Sequence, residues 1–260
     1  MRVLAAAAVL VLVSGMDPAG AQTTAAASPF LFASLAPAPG GRVVTSLDAG
    51  YNERAFEPVA GERFEPRVGL LAPLSPLFAV SAHLGFANTL EGSGRAAEQG
   101  ELWVTPVRHG GLSLTGGVGM RHEYAGTMVG LVRVAGARAT ARSALAADVL
   151  LERPHASGRD ALDVITTVGF THAIAPSVWL GVEAVGSDLE GLWENDESEG
   201  GATVLLGPTL AVSPSARLRL VVGGGPVVRA TRSTALTSPA AGGAERATGY
   251  VLRTSVRAAW

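Results

Sequence analysis

The chain has no cysteine and no lysine, only four Trp, three Tyr and seven Phe in 260 residues, and 16% charged residues. Without cysteine there is no disulfide framework, no thiolate zinc site and no thiol nucleophile. All 20 basic residues are therefore arginine, which we attribute to codon usage more than to function. Against 22 acids they leave a formal net charge of −2, with no electrostatic footprint for nucleic acid. Beyond residue 21 no apolar run reaches the roughly 20 residues that a spanning helix needs. Yet 48% of the residues are hydrophobic, 33 are glycine, and mean hydropathy is +0.31. High hydropathy without a spanning helix is what the alternating strands of a membrane barrel produce.

The N-terminus reads as an export signal. Arg2 precedes an unbroken apolar run from Val3 to Val13, followed by Ser14-Gly15, Asp17-Pro18 and the small-residue site Ala19-Gly20-Ala21. This pattern predicts a signal peptide over residues 1–21, cleaved after Ala21, and the absence of a following cysteine argues against a lipoprotein. Residues 22–40 are rich in Ala, Pro and Ser and lack periodicity, which predicts a flexible periplasmic segment. A plug inside a barrel lumen, using Phe30, Leu31 and Phe32, is the alternative.

From residue 41 to 260, blocks of alternating apolar residues recur between Gly, Pro and Ser clusters. The last is the clearest: Tyr250, Leu252, Thr254, Val256, Ala258 and Trp260 share one face, while Arg253 and Arg257 fall on the other. Its length suits a tilted strand crossing a bilayer. Counted together, the blocks make about twelve, an even number as single-chain bacterial barrels require. One block is ambiguous: between Glu101 and Arg108, Trp103 and Val104 compete for the lipid face and Pro106 interrupts. Connections alternate in length. Short turns fall at 73–76, 109–111, 136–141, 173–177 and 213–216, and longer polar loops at 52–63, 88–100, 122–127, 152–160, 187–200 and 231–247. The predicted fold is all-β: an antiparallel transmembrane β-barrel with short periplasmic turns and longer extracellular loops. A soluble β-sandwich is the rival, since it alternates too, but it needs no long-short parity and should carry more charge on its solvent faces.

Charge is costly on a lipid face and tolerated in a lumen. Alternation places Asp48, Arg67, His83, Arg121, Arg133, Asp148, Asp163, Glu183, Arg217, Arg219, Arg229, Arg253 and Arg257 inward. They read either as the wall of a pore that favours anionic or polar solutes, or as ion pairs bracing a closed barrel. Arg217, Arg219, Arg253 and Arg257 should form a local positive patch near the periplasmic end. The acidic run at 188–199 could offer oxygen ligands to a divalent cation, although its spacing is not that of an EF-hand and a solvated loop explains it equally. For hydrolysis, His155-Ala156-Ser157 has the residue types but no partner to orient the base, and His122-Glu123 and His172 read as isolated. Gly223-Gly224-Gly225-Pro226 lacks the Lys and helix of a phosphate loop. No catalytic residue, metal or cofactor is expected.

The signal peptide, the alternating strands, Gly207-Pro208 and the aromatic terminus at Trp260 together resemble small bacterial outer-membrane β-barrel proteins. The chain looks most like transporter-like barrels associated with aromatic-degradation pathways. That resemblance implies passive passage of small solutes, hydrophobic ones among them, with outer-membrane lipid and lipopolysaccharide as surroundings. The strand from Tyr250 to Trp260 resembles the insertion signal read by the barrel-assembly machinery. A surface-interaction barrel with a closed lumen, and more remotely a lipid-modifying enzyme, are the alternatives.

Overall fold

The computed structural model describes residues 28–34, 41–51, 64–88, 94–156, 162–187, 189, 202–230 and 248–260. The expected signal peptide and the acidic loop, apart from Leu189, lie outside these. Twelve strands follow in chain order: β1 (Val44–Tyr51), β2 (Phe64–Pro73), β3 (Phe78–Asn88), β4 (Gly94–His109), β5 (Leu112–His122) and β6 (Met128–Ala139). Then come β7 (Ser143–Pro154), β8 (Asp163–Ala175), β9 (Val178–Ser187), β10 (Ala202–Ser215), β11 (Leu218–Ala230) and β12 (Thr248–Ala259). Each pairs antiparallel with its neighbours in sequence, and β12 returns to β1 to close the barrel. The seam runs from Val44 opposite Ala259 to Tyr51 opposite Leu252, and Trp260 extends it by donating its N–H to the Val43 carbonyl at 2.9 Å. Closure leaves no strand edge unpaired, the condition for a sheet in a medium without water.

The two faces of this wall differ as the alternation requires. In β6, Val129, Leu131, Arg133, Ala135, Ala137 and Ala139 are buried, while Met128, Val132 and Val134 are exposed. The same parity leaves Val68, Leu70, Val118, Met120, Val168, Phe170, Leu206 and Leu220 on the outside. A continuous band of exposed aliphatic side chains is a lipid-facing surface, and on a water-soluble sandwich it would be an aggregation hazard. Tyr51, Phe64 and Tyr250 gather at the rim carrying the longer connections, and Trp260, 73% exposed, sits at the opposite rim. Its indole N–H donates to Thr45 Oγ1 at 3.0 Å.

Three expected boundaries are corrected, one of them the loop expected from 152, since β7 runs to Pro154. The region 88–100 is not a long loop, because β4 begins at Gly94 and pairs along Asn88 to Phe78 of β3. The turn expected over 136–141 reduces to 140–142, since β6 runs on to Ala139. The ambiguous block also resolves. Val104 faces out and Trp103 is buried, and a register shift between Val104 and Val107 absorbs Pro106, which has no N–H for the ladder.

Candidate functional site

Every inward charge predicted from alternation can now be placed. Asp48, Arg67, Arg121, Arg133, Asp148, Asp163, Glu183 and Arg219 are buried on the inner face, and His83, Arg253 and Arg257 are partly buried there. Arg217 is the exception: it sits exposed on the 216–217 turn, one residue before β11, although its carbonyl still accepts from the Ala259 N–H at 2.8 Å. Arg229 occupies β11 opposite Thr203.

One side of the lumen, from β4 to β7, is an ion-pair lattice. Arg121 bonds Glu152 through both terminal nitrogens, at 2.6 and 2.5 Å, and reaches Glu123 at 3.0 Å. Arg133 holds Asp148 at 2.9 Å and Glu101 at 3.1 Å, and its guanidinium lies 5.6 Å from the centre of the Trp103 ring. Trp103 in turn donates its indole N–H to Ser81 Oγ at 2.9 Å. A planar guanidinium matched by two carboxylate oxygens fixes both strands in register.

Glu101 and Glu152 were not among the residues expected in the lumen. The sequence pattern puts Glu152 in a loop and Glu101 at the edge of the ambiguous block, whereas β7 continues to Pro154 and β4 starts at Gly94. Parity with Asp148 and Trp103 was the signal that would have placed them. Glu65 and Gln99 are further buried inner residues of this kind.

The opposite side is built otherwise. Arg219 and Arg257 face each other across β11 and β12, with Arg219 Nε on Ser213 Oγ at 2.9 Å and Arg257 Nε on Ser255 Oγ at 3.1 Å. Like charges in direct register repel, so this pair is held by polar neighbours and by what occupies the lumen.

What occupies it is the chain's own segment 28–34. The backbone N–H groups of Leu31, Phe32 and Ala33 donate to the Glu183 carboxylate at 2.8, 2.8 and 3.0 Å. Thr209 adds its hydroxyl to the same carboxylate at 2.7 Å, and Ser34 N–H donates to Asp148 at 2.9 Å. From the other side, Arg257 donates to the Ser28 carbonyl at 3.3 Å, and Arg253 lies 5.7 Å from the Phe32 ring centre.

Phe30 is fully buried against Ala137, Ala139, Ala144, Ala146 and Trp179. The wall has given up side chains to seat the segment. A Cβ at Gly169 would stand 2.6 Å from the Phe30 ring, and one at Gly223 would stand 3.0 Å from Leu31. A cavity of about 200 Å³ remains beside the segment, bordered by Asp48, Arg67, His83, Arg253 and Arg257.

The hydrolytic candidates gain one correction. His172 is not isolated: its Nδ1 lies 2.8 Å from Ser143 Oγ on the outer face of β7 and β8. Among the described residues no carboxylate bonds to this pair, so nothing orients the imidazole as a base. His155 is exposed, and Ser157 lies outside the described residues.

Comparison with solved structures finds barrels of the same architecture. The KdgM porin in complex with disordered oligogalacturonate matches at a TM-score of 0.57 and 10% identity, covering 83% of this chain and 99% of that one. The NanC porin matches at a TM-score of 0.59 and 10% identity, covering 83% of this chain and 100% of that one. No protein-family model matches, and a search of curated proteins finds no match. At this identity the likeness is one of fold: this chain is a closed, antiparallel, twelve-stranded β-barrel.

Proposed function

We propose that the protein is an outer-membrane pore that lets small polar and anionic solutes pass down their gradients. The observation that carries this reading is a cavity of about 200 Å³ inside a closed barrel, at which the arginines Arg67, Arg133, Arg253 and Arg257 outnumber the carboxylates Asp48, Glu101 and Asp148. Arg219 stands beside Arg257 on the next strand and extends the row. A basic track of this kind lowers the barrier to anions along a pore. The apolar outer face supports residence in a membrane, and closed barrels with short turns on one side and long loops on the other belong to bacterial outer membranes. Lipopolysaccharide would then surround the long-loop rim, and the barrel-assembly machinery would read the strand from Tyr250 to Trp260.

The oligogalacturonate in the KdgM structure supports a polar solute class for a lumen of this shape. The narrower placement among barrels of aromatic-degradation pathways rests on sequence resemblance, and the apolar seat of Phe30 is the lumenal feature that favours it.

The test is single-channel recording of the purified, refolded protein in planar bilayers. A pore gives discrete conductance steps with anion preference, and Arg253→Glu or Arg219→Glu shifts the reversal potential toward cations. A second reading, a surface-interaction barrel with a closed lumen, is favoured by the segment at 28–34 and the ion-pair lattice. It predicts no conductance at all from the intact protein.

A further inference from the structure

We propose that Glu183 with Thr209 on one side of the lumen and Arg257 on the other form a binding site for short peptides with free ends. In this structure residues 28–34 are its occupant. The proposal rests on the pore reading, which brings the solute to the lumen, and it names the solute class.

The chemistry of the contacts is that of a peptide backbone. The segment's hydrogen bonds to the strands come from main-chain groups: four N–H groups reach the two carboxylates, and one carbonyl reaches arginine. The side chains Phe30 and Leu31 enter apolar seats instead. When the segment leaves, the two ends of the site change unequally. Asp148 keeps Arg133 at 2.9 Å, but Glu183 keeps only the Thr209 hydroxyl among its hydrogen bonds to described residues. A carboxylate left in a lumen with one donor demands a cation or several N–H groups, and an ammonium supplies three donors and a charge. Arg257, deprived of the Ser28 carbonyl, keeps Ser255 Oγ on its Nε and has Asp48 nearby, but its Nη1 is released toward the cavity, where a carboxylate is the better ligand.

Separation selects the class further. Only Pro29 and Phe30 lie between the Ser28 carbonyl and the Leu31 nitrogen, so the span is at most about 10 Å. A dipeptide or tripeptide places its amine and carboxylate within that span, whereas an extended longer peptide overshoots it. The peptide runs opposite to residues 28–34, with its amine on Glu183, its carboxylate on Arg257 and an apolar side chain in the seat of Phe30.

Trp179 packs against both apolar clusters that the segment enters, so its fluorescence reports exchange of the occupant. The probe is glycyl-phenylalanyl-glycine, titrated onto the full-length refolded protein, with Trp179→Phe identifying the responding signal. The free tripeptide should shift the emission, and its N-acetylated and C-amidated forms should each bind at least about tenfold more weakly, since each lacks one charge-assisted contact. Glu183→Gln should abolish discrimination against the N-acetyl form alone, and Arg257→Gln discrimination against the amide alone. Equal binding of the three forms to the unaltered protein, or no response to any, overturns the site without recourse to a variant. Bilayer recordings separate the two claims. Selective binding without conductance removes the pore and leaves the site, and conductance without end-group discrimination does the reverse.

Discussion

On the β4–β7 side of the lumen, Arg121 and Arg133 are closed off by carboxylates carried on the same wall, whereas on the β11–β12 side Arg219 and Arg257 face each other. The first arrangement satisfies itself within the barrel. In the second, Arg257 bonds a carbonyl supplied by residues 28–34. The same contrast holds for carboxylates: Glu152 is clamped by an arginine side chain, and Glu183 by backbone N–H groups of a segment that is not part of the ladder. Charges neutralised inside the wall hold strands together and offer little to a solute. Charges completed by a lumenal occupant are the ones a different occupant can use.

The largest expected effect comes from breaking the self-contained wall. Arg121 is 1% exposed, so Glu152→Ala takes from a buried guanidinium the carboxylate that it bonds through both terminal nitrogens. The loss should be on the order of 3–5 kcal/mol, read from urea unfolding of the refolded barrel in lipid. Arg121→Met with Glu152→Leu removes both charges and should restore most of it. If the double variant is as unstable as the single one, the lattice does more than neutralise charge and the contrast between walls fails.

A smaller effect is expected where the segment meets the wall. Gly169→Val puts two methyls into the seat of the Phe30 ring, which a Cβ alone would approach to 2.6 Å. The segment should leave, at a cost that starts from the burial of one Phe, roughly 2–3 kcal/mol, and rises with the hydrogen bonds that the segment gives up. Trp179 emission should move to the red while all twelve strands stay paired, as followed by far-ultraviolet circular dichroism. An unchanged Trp179 spectrum would mean that the glycine is there for the ladder and not for the ring.

How much of this was legible without coordinates follows from what alternation can and cannot encode. Period-two patterning sorted Leu252 from Arg253 and Val132 from Arg133 correctly, because lipid on one side imposes one rule on every strand. It failed at boundaries. Glu101 and Glu152 lie where polar residues continue a strand past the apolar band, and there the pattern gives no contrast between strand and loop. Arg217 shows the converse: there parity reaches one residue outside β11, onto an exposed turn. The seating of residues 28–34 was beyond reach for a different reason. Its donors are backbone N–H groups, which every residue but proline has, and its acceptor Glu183 is more than 100 positions away. The glycines that make room, Gly169 and Gly223, are two among 33.

The smallest expected effect compares two arginine–aromatic contacts of nearly equal length, Arg133 with Trp103 at 5.6 Å and Arg253 with Phe32 at 5.7 Å. In the first, both partners are borne by strands, so the contact exists only while the barrel is folded and contributes to its stability. Trp103→Leu should therefore lower the unfolding free energy by about 1–2 kcal/mol, combining the lost ring contact with Ser81 left without its indole donor. In the second, the aromatic ring is carried by the lumenal segment, which can leave a barrel whose strands remain paired. Phe32→Leu should move the unfolding midpoint little, yet weaken the hold on the segment and let the probe peptide compete at lower concentration. A matched loss of stability in both variants would show that residues 28–34 fold with the wall as one unit, and the lumen would then have no exchangeable occupant.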